Sequence, residues 1–256
     1  MRKRILAGNW KMNHGPEAAR AFFLELETLT PAGSDFDSIE RVIFAPMLSL
    51  QASLEAARSQ KIWIGSQNTH FEKSGAFTGE VSGPMLAELG IRWSLTGHSE
   101  RRQHFGETDE TVFKRTISLL EQGFEVMACI GETRSERESN QTEAVLARQL
   151  ASLLQARIAP FCDGRLTIAY EPVWAIGTGL TATPAQAQEA HGYCRKKILE
   201  LVGPAASEKT RILYGGSVTT ENISELLRCP DVDGGLVGGA SLKSSSFSKL
   251  TSAFLA

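Results

Sequence analysis

Three things are scarce in this sequence, and each scarcity closes off a class of protein. No apolar run approaches the length of a membrane span; around the basic start "MRKRILAGNW" the apolar stretch is only three residues, too short for the core of an export signal. Four cysteines, Cys129, Cys162, Cys194 and Cys229, stand far apart with no CxxC spacing, which argues against a thiolate zinc site or a disulfide framework and for a reducing compartment. Excess charge is missing too. With 27 basic against 29 acidic residues the formal charge is -2, so nothing draws the chain toward nucleic acid or an anionic membrane. A soluble cytoplasmic protein that acts on small molecules is the expectation.

Also absent are a Pro-, Gly- or Ser-rich linker, a low-complexity tract, a GxGxxG after the first strand, a GxxxxGK[ST] loop, and any spacing of His and carboxylates suited to a metal. The expectation is one domain over 1–256 whose chemistry runs on its own side chains, without a cofactor or metal.

What is present is 42% hydrophobic residues arranged in a rhythm. Eight short apolar runs recur: "RILAGNW", "RVIFAP", "KIWIGSQN", "RWSLTGHS", "FEVMACIGE", "LTIAYEP", "TRILYGGS" and "VDGGLVGG", each stopped by Gly, Asn, Ser or Pro. Between them lie stretches of helical period, such as "PEAARAFFLELETL", "DETVFKRTISLLEQG", "TEAVLARQLASLLQARI" and "TPAQAQEAHGYCRKKILELV". In the last, Thr183 before Pro184 predicts an N-cap and first helical residue. Strands alternating with helices imply parallel pairing through right-handed crossovers, and strands without polar alternation imply a sheet covered on both faces. Neither terminal strand carries the charge or proline of an exposed edge, so a closed α/β architecture, a (β/α)8 barrel, is predicted over an open sheet. The segment 68–87 lacks a helix or strand period and reads as a long functional loop.

Polar residues gather where strands end. In a barrel those ends share one face, so Asn9, Lys11, His98 and Glu171 are predicted to converge in one mouth. Asn9 and Lys11, two apart, would project to the same side of an extended chain. Each residue also has a plainer reading: a solvated strand end for Lys11, a satisfied structural histidine for His98, a carboxylate turned to solvent for Glu171. Glu171 stands between Tyr170 and Pro172, where partial burial would disfavour its charge and strengthen it as a base. "YGGSV" and "GLVGGASL" follow the last two strands, and two glycine-rich turns leading toward helices suggest a phosphate cradle.

The ordered motifs "AGNWKMN", "QNTHFEKSGAFTGEVS", "TGHSERRQHFGE", "CIGET", "AYEPVWAIGTG", "YGGSV" and "DGGLVGGASL" resemble the triosephosphate isomerase family from first strand to last. The resemblance implies the TIM barrel of that family and interconversion of dihydroxyacetone phosphate and glyceraldehyde 3-phosphate in glycolysis and gluconeogenesis. It implies Glu171 as general base, His98 as neutral electrophile, Lys11 offsetting substrate charge, and Asn9 holding a substrate oxygen and the Lys11 side chain. Gly177, Ser217, Gly238 and Gly239 would offer backbone N–H groups to the phosphate. Ser99 and Cys129 would surround His98 and Glu171, and Glu100 would support Lys11. A lid would run through Pro172, Val173, Trp174, Ala175, Ile176, Gly177, Thr178, Gly179, Leu180, Thr181 and Ala182.

The same resemblance implies a homodimer in which a tip at Phe77, Thr78, Gly79 and Glu80 docks on the partner near Arg101 and Glu107. Three departures from the family pattern stand out. Leu180 replaces a frequent lysine at the trailing hinge of the lid, Gly235 stands where a larger residue is common and would loosen the eighth strand, and Gly83-Pro84 closes the third loop. A barrel aldolase would need a Schiff-base lysine on a middle strand, and the strands ending at Gln67, Gly97 and Gly131 lack one. A non-catalytic scaffold would have lost the base or a phosphate turn, and neither is lost.

Overall fold

Alternation along the first strand divides its side chains between two cores. Ile5 and Ala7 point into a cluster shared with Phe44, Met127, Cys129 and Ala169, while Leu6 between them packs outward with Ile43, Ile168 and the apolar faces of the helices. This two-sided burial is why the strands read as unbroken apolar runs. The structure, a computed structural model, describes residues 2–30, 36, 38–177 and 181–255.

Eight parallel strands, β1 (Arg4–Asn9), β2 (Ile39–Ala45), β3 (Trp63–Ser66), β4 (Trp93–Thr96), β5 (Glu125–Ile130), β6 (Leu166–Tyr170), β7 (Arg211–Tyr214) and β8 (Gly234–Val237), close into a barrel in chain order. β8 returns onto β1 through the register Ile5↔Gly234 to Gly8↔Val237. The four helical stretches read from the sequence form helices at Pro16–Leu29, Asp109–Glu121, Thr142–Leu153 and Pro184–Val202. Thr183 caps the last in a capping box with Gln186. Among the described residues no helix is long and apolar enough to cross a membrane.

Two expectations change. The segment 68–87 is not all loop: a short helix, Gly83–Glu88, opens inside it, and Pro84 suits its first turn because proline brings a helical φ and no N–H to satisfy. At β8 the backbone demand falls on Gly234 rather than Gly235. Gly234 has φ +152°, and a Cβ there would stand 1.9 Å from the Ile5 carbonyl oxygen; a Cβ on Gly235 would meet only ordinary contacts, the nearest at 3.6 Å.

Candidate active site

The inward side of each strand carries the site. Ile5 and Ala7 lead by the same period of two to Asn9 at the end of β1, and Ala169 leads to Glu171 just beyond β6. Lys11 arrives differently. Its φ is +51°, so the chain leaves β1 through a left-handed turn rather than continuing extended. The Lys11 N–H donates to Asn9 Oδ1 (3.0 Å), and Gln67 Nε2 donates to the Lys11 carbonyl (2.8 Å), which together hold that turn. Lys11 Nζ then pairs with Glu100 Oε1 at 2.6 Å.

His98 caps the helix Ser99–Phe105. Its Nδ1 accepts the Glu100 N–H (3.3 Å), a contact that in the neutral ring leaves the proton on Nε2. Nε2 lies 3.0 Å from Glu171 Oε1, and the other carboxylate oxygen accepts the Ser99 N–H at 2.9 Å. Burial pushes the Glu171 carboxyl upward, but His98 and the Ser99 N–H oppose it and the net position is below the ordinary glutamate value. For His98, burial pulls down most, and the Glu171 carboxylate together with Glu100 outweighs it, leaving the pKa raised. Cys129, buried on β5, is pushed far up, first by burial and then by the nearby Glu171 carboxylate, so it stays a thiol.

Asn9, Lys11, His98 and Glu171 line one cavity of about 340 Å³, together with Gly177 and the turns Gly215–Ser217 and Gly238–Gly239. A larger cavity, about 860 Å³, touches Glu171 and Ser99 but is otherwise walled by Arg102, Asp109, Arg148 and the residues around Thr133. It holds neither His98 nor Lys11, so the smaller one has the chemistry. The turn Gly239–Leu242 begins directly at Gly238, and Gly238, Gly239 and Ala240 line the cavity, where the first N–H groups of such a turn suit an anion.

The model of the triosephosphate isomerase family matches residues 4–254. This chain belongs to the triosephosphate isomerase family. It is 47% identical to the triosephosphate isomerase of Solibacter usitatus over 98% of this chain and 99% of that one. It is 47% identical to that of Acetivibrio thermocellus over 97% of each chain, and 46% identical to that of Clostridium novyi over 98% of each.

Set beside the expectations read from the residues and from the resemblance, the geometry differs at Asn9, Glu171 and Ser217. Asn9 binds the Lys11 backbone, not its side chain, and Glu100 takes the ammonium. Glu171 is 2% exposed rather than partly buried, and its charge is favoured, because His98 and the Ser99 N–H outweigh desolvation. The turn at Ser217 does not lead straight into a helix; the next one, Ile223–Leu226, starts six residues later. The Ser217 N–H (3.1 Å) and hydroxyl (2.7 Å) both donate to the Ala175 carbonyl, so its N–H is engaged with the lid base.

Within the segment expected to form a lid, Val173–Ala175 make a 3-10 turn, Gly177 has φ +68°, and Ala182 N–H donates to the Tyr214 hydroxyl (3.2 Å); Thr178, Gly179 and Leu180 lie outside the described residues. At the third loop Thr78 and Gly79 are exposed, Phe77 packs on His70 with centroids 4.3 Å apart, and Glu80 lies 3.5 Å from Arg115. Arg101 and Glu107 pair with each other at 2.6 Å.

Sequence reasoning passed over Glu132 and Gln67. Glu132 is fully buried and its Oε1 accepts from the Tyr170 hydroxyl (3.1 Å) and Trp174 Nε1 (2.9 Å), while its carbonyl takes the Val173 N–H (3.1 Å). It ties Val173 and Trp174, in the segment expected to act as a lid, to the strand that carries Glu171. A carboxylate in "CIGET", straight after an apolar strand, was the available signal.

Proposed function

We propose that the chain interconverts dihydroxyacetone phosphate and glyceraldehyde 3-phosphate by moving a proton between adjacent carbons through an enediolate, without a cofactor. The observation that carries this reading is the grouping of a buried carboxylate, an imidazole and a lysine in one cavity with two glycine turns.

The present contacts suggest the order of events. Both oxygens of Glu171 are engaged, one by Ser99 and one by His98. A substrate carbonyl that accepts the His98 Nε2 proton frees Oε1 to reach the carbon acid, so one exchange of partners polarises the carbonyl and releases the base. General base catalysis contributes about 10²–10⁴-fold and oxyanion stabilisation a comparable amount. The non-reacting phosphate supplies the rest by drawing the lid over an intermediate that must be kept from water. Lys11, the N–H groups of Gly177, Gly238 and Gly239, and that of Ser217 once it releases Ala175, are the groups assigned to the phosphate.

We further infer a two-fold dimer acting in the cytoplasm. Met12 is 97% exposed, Leu48 83%, Met85 53% and Phe77 44%, apolar area that supports a self-complementary interface through the third loop. A coupled assay with glyceraldehyde 3-phosphate tests the reaction; absence of turnover by pure protein would refute it.

A further inference from the structure

A second cavity, about 770 Å³, opens at the end of the barrel opposite the catalytic mouth, where β2, β3 and β4 begin. Arg41 contributes to its wall while only 2% exposed. One terminal N–H donates to the Gln60 carbonyl, the guanidinium carbon lies 3.7 Å from the centroid of the Phe36 ring, and Nε is buried with no hydrogen-bond partner. Among the described residues no carboxylate pairs with it; the adjacent Glu40 is committed to Arg211. Burial draws the Arg41 pKa down to about 10, so at neutral pH it remains a cation. A buried cation with no counterion is costly, and an anion delivered through the cavity would relieve that cost.

The rest of the wall favours the same ligand. Among the described residues that line it, Lys3, Arg58 and Arg92 join Arg41, with the carboxylates Glu40 and Glu55. Trp63, 55% exposed, presents its ring at the same cavity beside Leu54 and Ile62. A bare oxyanion would leave most of the space and all of the apolar wall unused, whereas sites of roughly 300–1,000 Å³ suit small organic ligands.

We propose that this cavity binds a planar aromatic ring carrying an anionic group, with the anion on Arg41 and the exposed bases and the ring against Trp63. A nucleoside monophosphate has this chemistry, and the site is separate from the catalytic mouth.

The test is calorimetric titration of the full-length protein with AMP, after the mouth has been filled with saturating, equilibrated dihydroxyacetone phosphate. The expected result is one AMP per chain with a submillimolar Kd that the triose phosphate does not change. Arg41→Met, which keeps volume and removes charge, should weaken AMP by about tenfold or more while turnover stays at the parent value. Trp63→Ala should weaken it about tenfold through lost stacking, and inorganic phosphate should bind at least about tenfold more weakly than AMP. If Arg41→Met fails to fold, the double variant Arg58→Ala with Arg92→Ala, both at the exposed rim, should still bind AMP several-fold less tightly. No binding at about 5 mM AMP, binding abolished when the mouth is filled, or binding unchanged in the folded variants would overturn the proposal. Phosphate binding as tightly as AMP would overturn the assignment of the ring.

Discussion

Glu171 and His98 face each other at 3.0 Å, and each alters the other's proton affinity: the carboxylate raises the imidazole, and the imidazole lowers the carboxyl. Replacing Glu171 by Gln removes the charge but keeps the shape. Turnover should fall by about 10²–10⁴-fold with the circular dichroism unchanged. With the carboxylate gone, burial dominates at His98, so its pKa should drop below the ordinary 6.5 when followed by NMR titration of the ring. Turnover within tenfold of the parent, or a His98 pKa that stays raised, would contradict the assigned pairing.

Gly131 tests positioning without touching a reacting group. A Cβ there would stand 1.8 Å from the Glu171 carbonyl oxygen, so Gly131→Ala must shift the backbone that aims the base. The expected loss is about 10²-fold in kcat/KM, with stability lower by about 2–4 kcal/mol in urea unfolding.

Glu132→Ala would leave the Tyr170 hydroxyl and the Trp174 ring N–H without their buried acceptor. A stranded buried donor at the Tyr170 hydroxyl costs about 1–3 kcal/mol, and stability should fall by about that amount. KM should rise as the lid base loosens, and Glu132→Gln, which keeps an acceptor oxygen, should recover most of both. Equal effects from the two substitutions would exclude the acceptor role.

His191 supplies a pH dependence. Fully buried, it is held down to about 4 from 6.5, chiefly by burial. The unfolded chain therefore binds the extra proton first as pH falls, and stability contributed by the neutral ring is lost between about 6.5 and about 4. The loss should total about 3 kcal/mol. Comparing urea unfolding at pH 7 and pH 4.5 in the parent and in His191→Phe isolates this contribution, because carboxylate effects are common to both.

The dimer assignment predicts sedimentation at about twice the chain mass of 27.9 kDa. Phe77→Asp should shift the protein toward monomer at micromolar concentration and reduce activity together with it. A fully active monomer would separate the third loop from the site.

Much of the architecture was legible because it depends on local pattern. Short apolar runs punctuated by Gly, Asn, Ser and Pro correspond to β1–β8, and four helical periods correspond to helices. The short helix Gly83–Glu88 was not legible, since six residues offer too little periodicity to stand out. Lys11 was placed on the correct side for the wrong reason. Its left-handed backbone depends on Gln67, 56 residues away, which no local spacing reveals.

The sequence by itself determined the alternation of strands and helices, the apolar character of both faces of the sheet, and the placement of polar residues and glycines at strand ends. Those are nearest-neighbour properties of a chain. Tertiary structure alone decided the partners: that Glu171 lies against His98 and Ser99, that Ser217 is held by the Ala175 carbonyl, that Glu132 takes Tyr170 and Trp174, and that Arg41 is buried with no carboxylate partner among the described residues. Charge state and hydrogen-bond commitment depend on what barrel closure brings within a few ångströms, and residues distant in the chain become neighbours only when the last strand pairs with the first.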